Sequence, residues 1–165
     1  MNAAVGSLTL AAVRAAVAAV PDPEIPVLTI EDLGILRDVS VNGDGRVEVT
    51  ITPTYSGCPA VDAIRAEVEQ VLTEHGFPDA AVRTVLAPAW TTDWISDEGR
   101  RKLADFGIAP PGRCRPAGAA PVELVCCPQC GSADTRVLSR FGSTACKSLR
   151  VCNRCREPFD HFKPL

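Results

Sequence analysis

The chain has 165 residues, a net charge of −3, 46% hydrophobic residues and eight cysteines. That length suits one ordinary core plus a small metal-stapled appendage better than two full-sized domains. The acidic balance excludes a general basic field for nucleic-acid phosphates. No apolar run reaches the roughly 18 residues of a membrane span, so a cytoplasmic protein without a membrane role is expected.

The first twenty residues are alanine-rich, and Arg14 interrupts them. They read as a core helix rather than an export signal. Leu10, Val13, Val17 and Val20 recur at helical spacing and predict an amphipathic helix over about residues 7–20, which Pro21 ends. Three prolines between Pro21 and Pro26 then force a loop that carries Asp22 and Glu24.

From Ile35 the apolar period becomes two. Ile35, Val39 and Val41, then Val47, Val49 and Ile51, flank Asn42, Gly43, Asp44 and Gly45, which is the signature of a β-hairpin with one wet face. After a loop over residues 53–58, Pro59 suits the first position of a helix whose apolar face is Val61, Ile64, Val68, Val71 and Leu72. Residues 81–86 predict a third strand and residues 96–106 a third helix, with Ser96 as its cap. The expected fold class is α+β: a small mixed sheet with helices over residues 1–106, a proline-rich linker over 107–122, and a C-terminal zinc ribbon over 123–165.

The ribbon rests on cysteine spacing. Six of the eight cysteines fall between Cys126 and Cys155, whereas Cys58 and Cys114 stand alone. In a cytoplasmic chain such a cluster argues for metal ligands more than for disulfides. Cys127 with Cys130, and Cys152 with Cys155, are two Cys-x2-Cys knuckles, a spacing at which each tight turn delivers two thiolates to one tetrahedral ion. Residues 135–141, 146–151 and 158–162 would be its three strands. The sharper rival is rubredoxin-like iron, against which stands Arg156, where that family usually has glycine. So few large apolar side chains leave metal binding as the folding energy of this segment. Cys126 and Cys146 are surplus, as small buried side chains or as extra ligands.

Outside the ribbon, Cys58 is the candidate for chemistry. Preceding Pro59, it would cap the second helix, where the helix dipole favours a thiolate and where Ser, Thr, Asp or Asn would cap better. Asp22 and Glu24, held apart by Pro23, read either as loop acids capping amides or as a pair facing a metal or a partner.

These residues resemble a known family. The run from Val20 to Leu36, then Thr54 to Pro59, and Ala89 to Trp94 are similar to the small domain of iron-sulfur cluster-assembly factors of the MIP and SufT type. Adding the segments from Phe141 to Lys147, Cys152 to Phe159, and Phe162 with Lys163, the chain over about residues 7–163 resembles the PaaD family, the D components of ring-1,2-phenylacetyl-CoA epoxidase systems. It departs from that pattern at Cys126 and His161. The resemblance implies a non-catalytic auxiliary protein of phenylacetate catabolism. Its expected partners are a di-iron oxygenase with its structural companion and a reductase carrying flavin and an iron-sulfur cluster, and a homodimer is compatible with it.

On this reading the protein assists installation of iron or a cluster, with Cys58, Asp22 and Glu24 as transfer candidates and zinc as the structural ion. The alternative is a docking subunit without metal transfer. The third reading is a nucleic-acid-binding ribbon, which leans on Arg136, Arg140, Lys147, Arg150, Arg154 and Arg156; Phe141, Phe159 and Phe162 could stack bases but are equally the minimum core of a ribbon.

Overall fold

A computed structural model describes residues 2–112 and 124–165. The chain divides into two compact units, Met1–Ser96 and Asp97–Leu165.

In the first unit, helix α1 (Asn2–Ala18) buries Val13 and Val17 on the stripe that its apolar spacing predicts. Strands β1 (Leu36–Val41) and β2 (Val47–Ile51) form the expected antiparallel hairpin. Helix α2 (Ala60–Glu74) then crosses over to strand β3 (Ala81–Thr84), which pairs parallel to β2. The sheet is therefore mixed, in the order β1-β2-β3. Helix α1 touches β1, α2 touches β3, and the helices touch each other, so both cover one face of the sheet. Ile64, Val68 and Leu72 of α2 and Val49 and Ile51 of β2 are the centre of that core.

The proline-rich loop after α1 is ordered by its own hydrogen bonds. Asp22 N donates to the Leu28 carbonyl at 2.8 Å and Ile30 N to the Val20 carbonyl at 2.9 Å. Next to it Thr29 and Asp32 bond reciprocally, each backbone amide donating to the other's side-chain oxygen at 3.1 Å. Gly34 follows with φ +68, a region that glycine enters without cost. The segment from Trp90 to Trp94, with a short 3-10 helix Thr92–Trp94, seats on this loop. Trp90 Nε1 donates to the Leu33 carbonyl at 2.8 Å, and the Arg37 guanidinium lies 3.6 Å from the Trp94 ring centroid. The tryptophan motif is thus a packing device that locks the loop carrying Asp22 and Glu24.

In the second unit, helix α3 (Asp97–Asp105) leads into strand β4 (Ile108–Ala109). Strands β5 (Thr135–Ser139), β6 (Lys147–Cys152) and β7 (Pro158–Phe162) form the antiparallel ribbon. Strand β4 adds to it, parallel to β7, in the order β4-β7-β6-β5. The sequence expectation put the domain boundary at 106 and the start of the linker at 107. The division falls at Ser96, and Ile108 and Ala109 are strand because the ribbon's third strand offers an open edge that the chain fills as it leaves α3. The rest of that linker, from residue 113 on and including Cys114, lies outside the described residues, as does residue 123.

Two outcomes follow from this packing. A Cβ at Gly34 would sit 2.7 Å from both Cβ and the carbonyl oxygen of Trp94. Gly34→Ala should therefore destabilise the first unit by on the order of 3 kcal/mol, combining strain at positive φ with overpacking. Urea unfolding followed by tryptophan fluorescence reads this, and a loss below about 1 kcal/mol would contradict the close approach.

In the second unit His161 is buried, with Nδ1 3.3 Å from Ser148 Oγ. Desolvation, and then the positive Arg150, lower its pKa to about 4. The unfolded state, titrating near 6.5, binds more protons between those values. Stability from this group is thus complete above about pH 6.5 and declines as pH falls toward 4. An NMR titration of the His161 ring should give a midpoint well below 6, and one near 6.5 would refute the burial.

Candidate metal centre

The sulfurs of Cys127, Cys130, Cys152 and Cys155 all lie within 4.8 Å of one another. Cys127 Sγ is 3.7 Å from Cys155 Sγ, and Cys130 Sγ is 3.6 Å from Cys152 Sγ. Zinc–sulfur bonds of about 2.3 Å in a tetrahedron require sulfurs about 3.8 Å apart, so the donor set and its geometry fit one Zn²⁺. Among the described residues, this is the one gathering of three or more His, Cys, Asp or Glu side chains suited to an ion.

Both knuckles use the same local device. Gly131 N donates to the Cys127 carbonyl at 2.8 Å, and Arg156 N to the Cys152 carbonyl at 3.0 Å. Gly131 has φ +70 and Arg156 φ +67. Each turn therefore ends on a left-handed residue, and in the second knuckle arginine accepts a conformation that costs an L-residue roughly 1–2 kcal/mol. Comparing the two knuckles in sequence shows arginine standing where the first has glycine, but only the backbone reveals that it takes glycine's conformation. Asn153 fastens the turns together. Its backbone N donates to the Asp134 carbonyl at 2.9 Å and its side-chain amide to Asp134 Oδ1 at 2.7 Å, a clamp that spacing alone did not disclose.

Hydrogen bonds and crowding shift two of these thiols in opposite directions. Amide hydrogen bonds, from Cys155 N foremost and then from Arg154 N, together with those from the neighbouring thiols, bring Cys152 down to about 7, although burial opposes them. For Cys155 the amide hydrogen bond from Glu157 works downward, but desolvation and the sulfurs of Cys152, Cys127 and Cys130 outweigh it and raise the thiol to about 12. Hydrogen bonds thus favour the thiolate at Cys152, while burial and crowding oppose it at Cys155. Cys127 and Cys152 are also core residues, packed with Ala109, Val125 and Phe159. An ion held there would replace the apolar mass that the ribbon lacks.

The other candidate residues lie apart from this centre. Cys146 is buried with its Sγ 3.1 Å from Thr144 Oγ1, and neither it nor Cys126 belongs to the gathered set of four. Cys58 does not cap α2. The helix begins at Ala60, Pro59 occupies the cap position with no side-chain hydrogen bond, and Cys58 contributes its carbonyl to Val61 N at 3.2 Å. At 8% exposure the thiol is covered. Asp22 is buried, and its Oδ1 accepts from Glu24 N at 2.9 Å and Ile25 N at 2.7 Å. Its carboxylate thus serves its own loop, while Glu24 is half-buried.

Comparison with known proteins separates the same two parts. Residues 10–87 match an iron-sulfur cluster assembly protein family, and residues 113–163 match the PaaD zinc beta ribbon domain. A crystal structure of a domain of unknown function, DUF59, from Bacillus anthracis is 28% identical with a TM-score of 0.54, covering 62% of this chain and 97% of that one. A Porphyromonas gingivalis (strain ATCC BAA-308 / W83) protein named as an Fe-S protein maturation auxiliary factor is 39% identical over 50% of this chain and 78% of its own length. An Escherichia coli (strain K12) protein, provisionally named as the D component of 1,2-phenylacetyl-CoA epoxidase, is 49% identical over 87% of this chain and 86% of its own. An assembly-type unit followed by this ribbon, with 49% identity sustained across both, places the chain in the PaaD family.

Proposed function

We propose that this protein is a non-catalytic, cytoplasmic auxiliary component of a phenylacetyl-CoA epoxidase system that assists the installation of iron or an iron-sulfur cluster in the oxygenase or reductase. The observation that carries this reading is the union, in one chain, of a unit matching iron-sulfur assembly proteins with a ribbon of the PaaD kind. A metal centre with four protein ligands leaves no open position for substrate or water, which supports a structural ion rather than a catalytic one. Cys127, Cys130, Cys152 and Cys155 would hold that ion, and its chemistry would be limited to neutralising and cross-linking the thiolates. The cytoplasm is the compartment where such thiols stay reduced.

Cys58 remains the candidate contact for cargo in the first unit. It lies in the loop between β2 and α2 and is reached only when that loop yields. Its burial also favours a second reading, a docking subunit without metal transfer. The two separate in a deletion strain: loss of the protein should leave oxygenase or reductase present but short of iron or cluster. Full metal content in both components would reject the assembly reading.

Substitution of the ribbon ligands tests the structural ion. Cys130→Ser or Cys152→Ser should lower zinc from about one per chain to near zero and open the second unit to proteolysis, while the first unit keeps its cooperative unfolding. Elemental analysis and limited proteolysis report on this, and loss of both units in one transition would contradict their independence.

Cys58→Ser tests the cargo role. Folding and zinc content should be unchanged, alkylation of Cys58 in the parent should be slower than that of a free thiol because it is covered, and support of epoxidase activity should be lost. A variant that complements as well as the parent reduces Cys58 to packing.

A further inference from the structure

The ribbon core, with Ala109, Cys152 and Phe159, fills only part of one face of the sheet, and that face runs on beyond it. Val137 pairs with Arg150 across β5 and β6, and Ser148 with His161 across β6 and β7, so alternation puts these four side chains on one side of the sheet. There they surround a hollow of about 310 Å³, floored by the buried Ser148 and His161. Its lining is apolar at Val137, Phe141 and Pro164 and cationic at Arg140, Arg150 and Lys163, and no carboxylate lines the hollow.

Phe141 is 69% exposed, and its position is set by Lys163, whose Nζ lies 4.8 Å from the ring centroid and donates to the Arg140 carbonyl at 3.4 Å. Val137 and Leu138 are also large and exposed, on a strand at the edge of the sheet, where uncovered apolar side chains invite a partner. The hollow lies away from the metal centre. Thr135 at the start of β5 pairs with Cys152, and Phe141 lies beyond the other end of the strand.

Charge identifies the occupant. Residues 124–165 carry seven basic and three acidic side chains, a formal +4, against ten basic and seventeen acidic, −7, in residues 1–123. We propose that this hollow is a docking site for an acidic segment of a partner protein, which places one large apolar side chain between Val137 and Phe141 and its carboxylates on Arg140, Arg150 and Lys163. A nucleic-acid strand fits less well. Stacking needs open aromatic faces, whereas the single exposed ring here already carries Lys163 against it. The docking site stands independently of whether metal is transferred, because it lies in the second unit and is read out by binding alone.

Selection from a random peptide display library on the zinc-loaded full chain tests the proposal. Enriched peptides should carry one aromatic or large aliphatic residue among aspartates and glutamates. Their binding, measured by fluorescence anisotropy, should fall at least tenfold in the Arg140→Glu/Lys163→Glu double variant and in Phe141→Ala, and should weaken several-fold between 50 and 300 mM salt. Zinc content and thermal unfolding of each variant must match the parent, since the substituted side chains lie at the surface; Val137→Asp, also exposed, replaces any variant that fails this check. Three results would overturn the proposal: enriched peptides without acidic excess, equal binding to parent and variants, or a single-stranded thymidine oligonucleotide binding where peptides do not. Sedimentation that shows the free protein dimerising through this face, abolished by the same substitutions, would assign the hollow to a second copy and overturn it as well.

Discussion

Four cysteine sulfurs brought within 4.8 Å of one another are the constraint on which the second unit depends. Their crowding shows in the opposite shifts of the Cys152 and Cys155 thiols. Joined by an ion they would replace a core, since two of the four pack directly against Ala109, Val125 and Phe159. The backbone is arranged to reach this point twice, through paired left-handed residues at Gly131 and Arg156 and a clamp from Asn153 to Asp134. Tolerating arginine at positive φ is reasonable only where the metal over-determines the turn.

The first unit solves a different problem, that of holding an irregular loop still. Three prolines and two acids cannot join a helix or a sheet, so the loop is fixed by side chains that turn inward. Asp22 satisfies its own amides, Thr29 and Asp32 satisfy each other, and Trp90 ties down the Leu33 carbonyl. The motif residues shared with iron-sulfur assembly factors are for the most part this scaffold. Cys58, in the next loop, is covered in the same unit.

The two units differ in charge as well as in construction. The unit that matches iron-sulfur assembly proteins is acidic, and the ribbon, with its largely apolar hollow, is basic. A ribbon needs so little apolar mass once metal is bound that its remaining exposed side chains, Val137, Leu138 and Phe141, are left available for partners.

Periodicity and spacing by themselves determined the α+β class, the hairpin, α2, and which four cysteines gather, because each of these is a short-range pattern: a 3.6-residue stripe, a 2-residue alternation, or a two-residue gap between thiols. What only the tertiary structure decided depends on contacts distant in sequence. Residues 108–109 left the linker and became strand because β7, some fifty positions later, offered them an edge. Cys58 lost the cap position because Pro59 already holds helical angles, and it is covered in the folded unit. The hollow beside Phe141 draws on residues from three strands and the chain end, so no local window of the sequence contains it. A cavity is made by distant residues converging, and convergence is a property of the fold rather than of any segment.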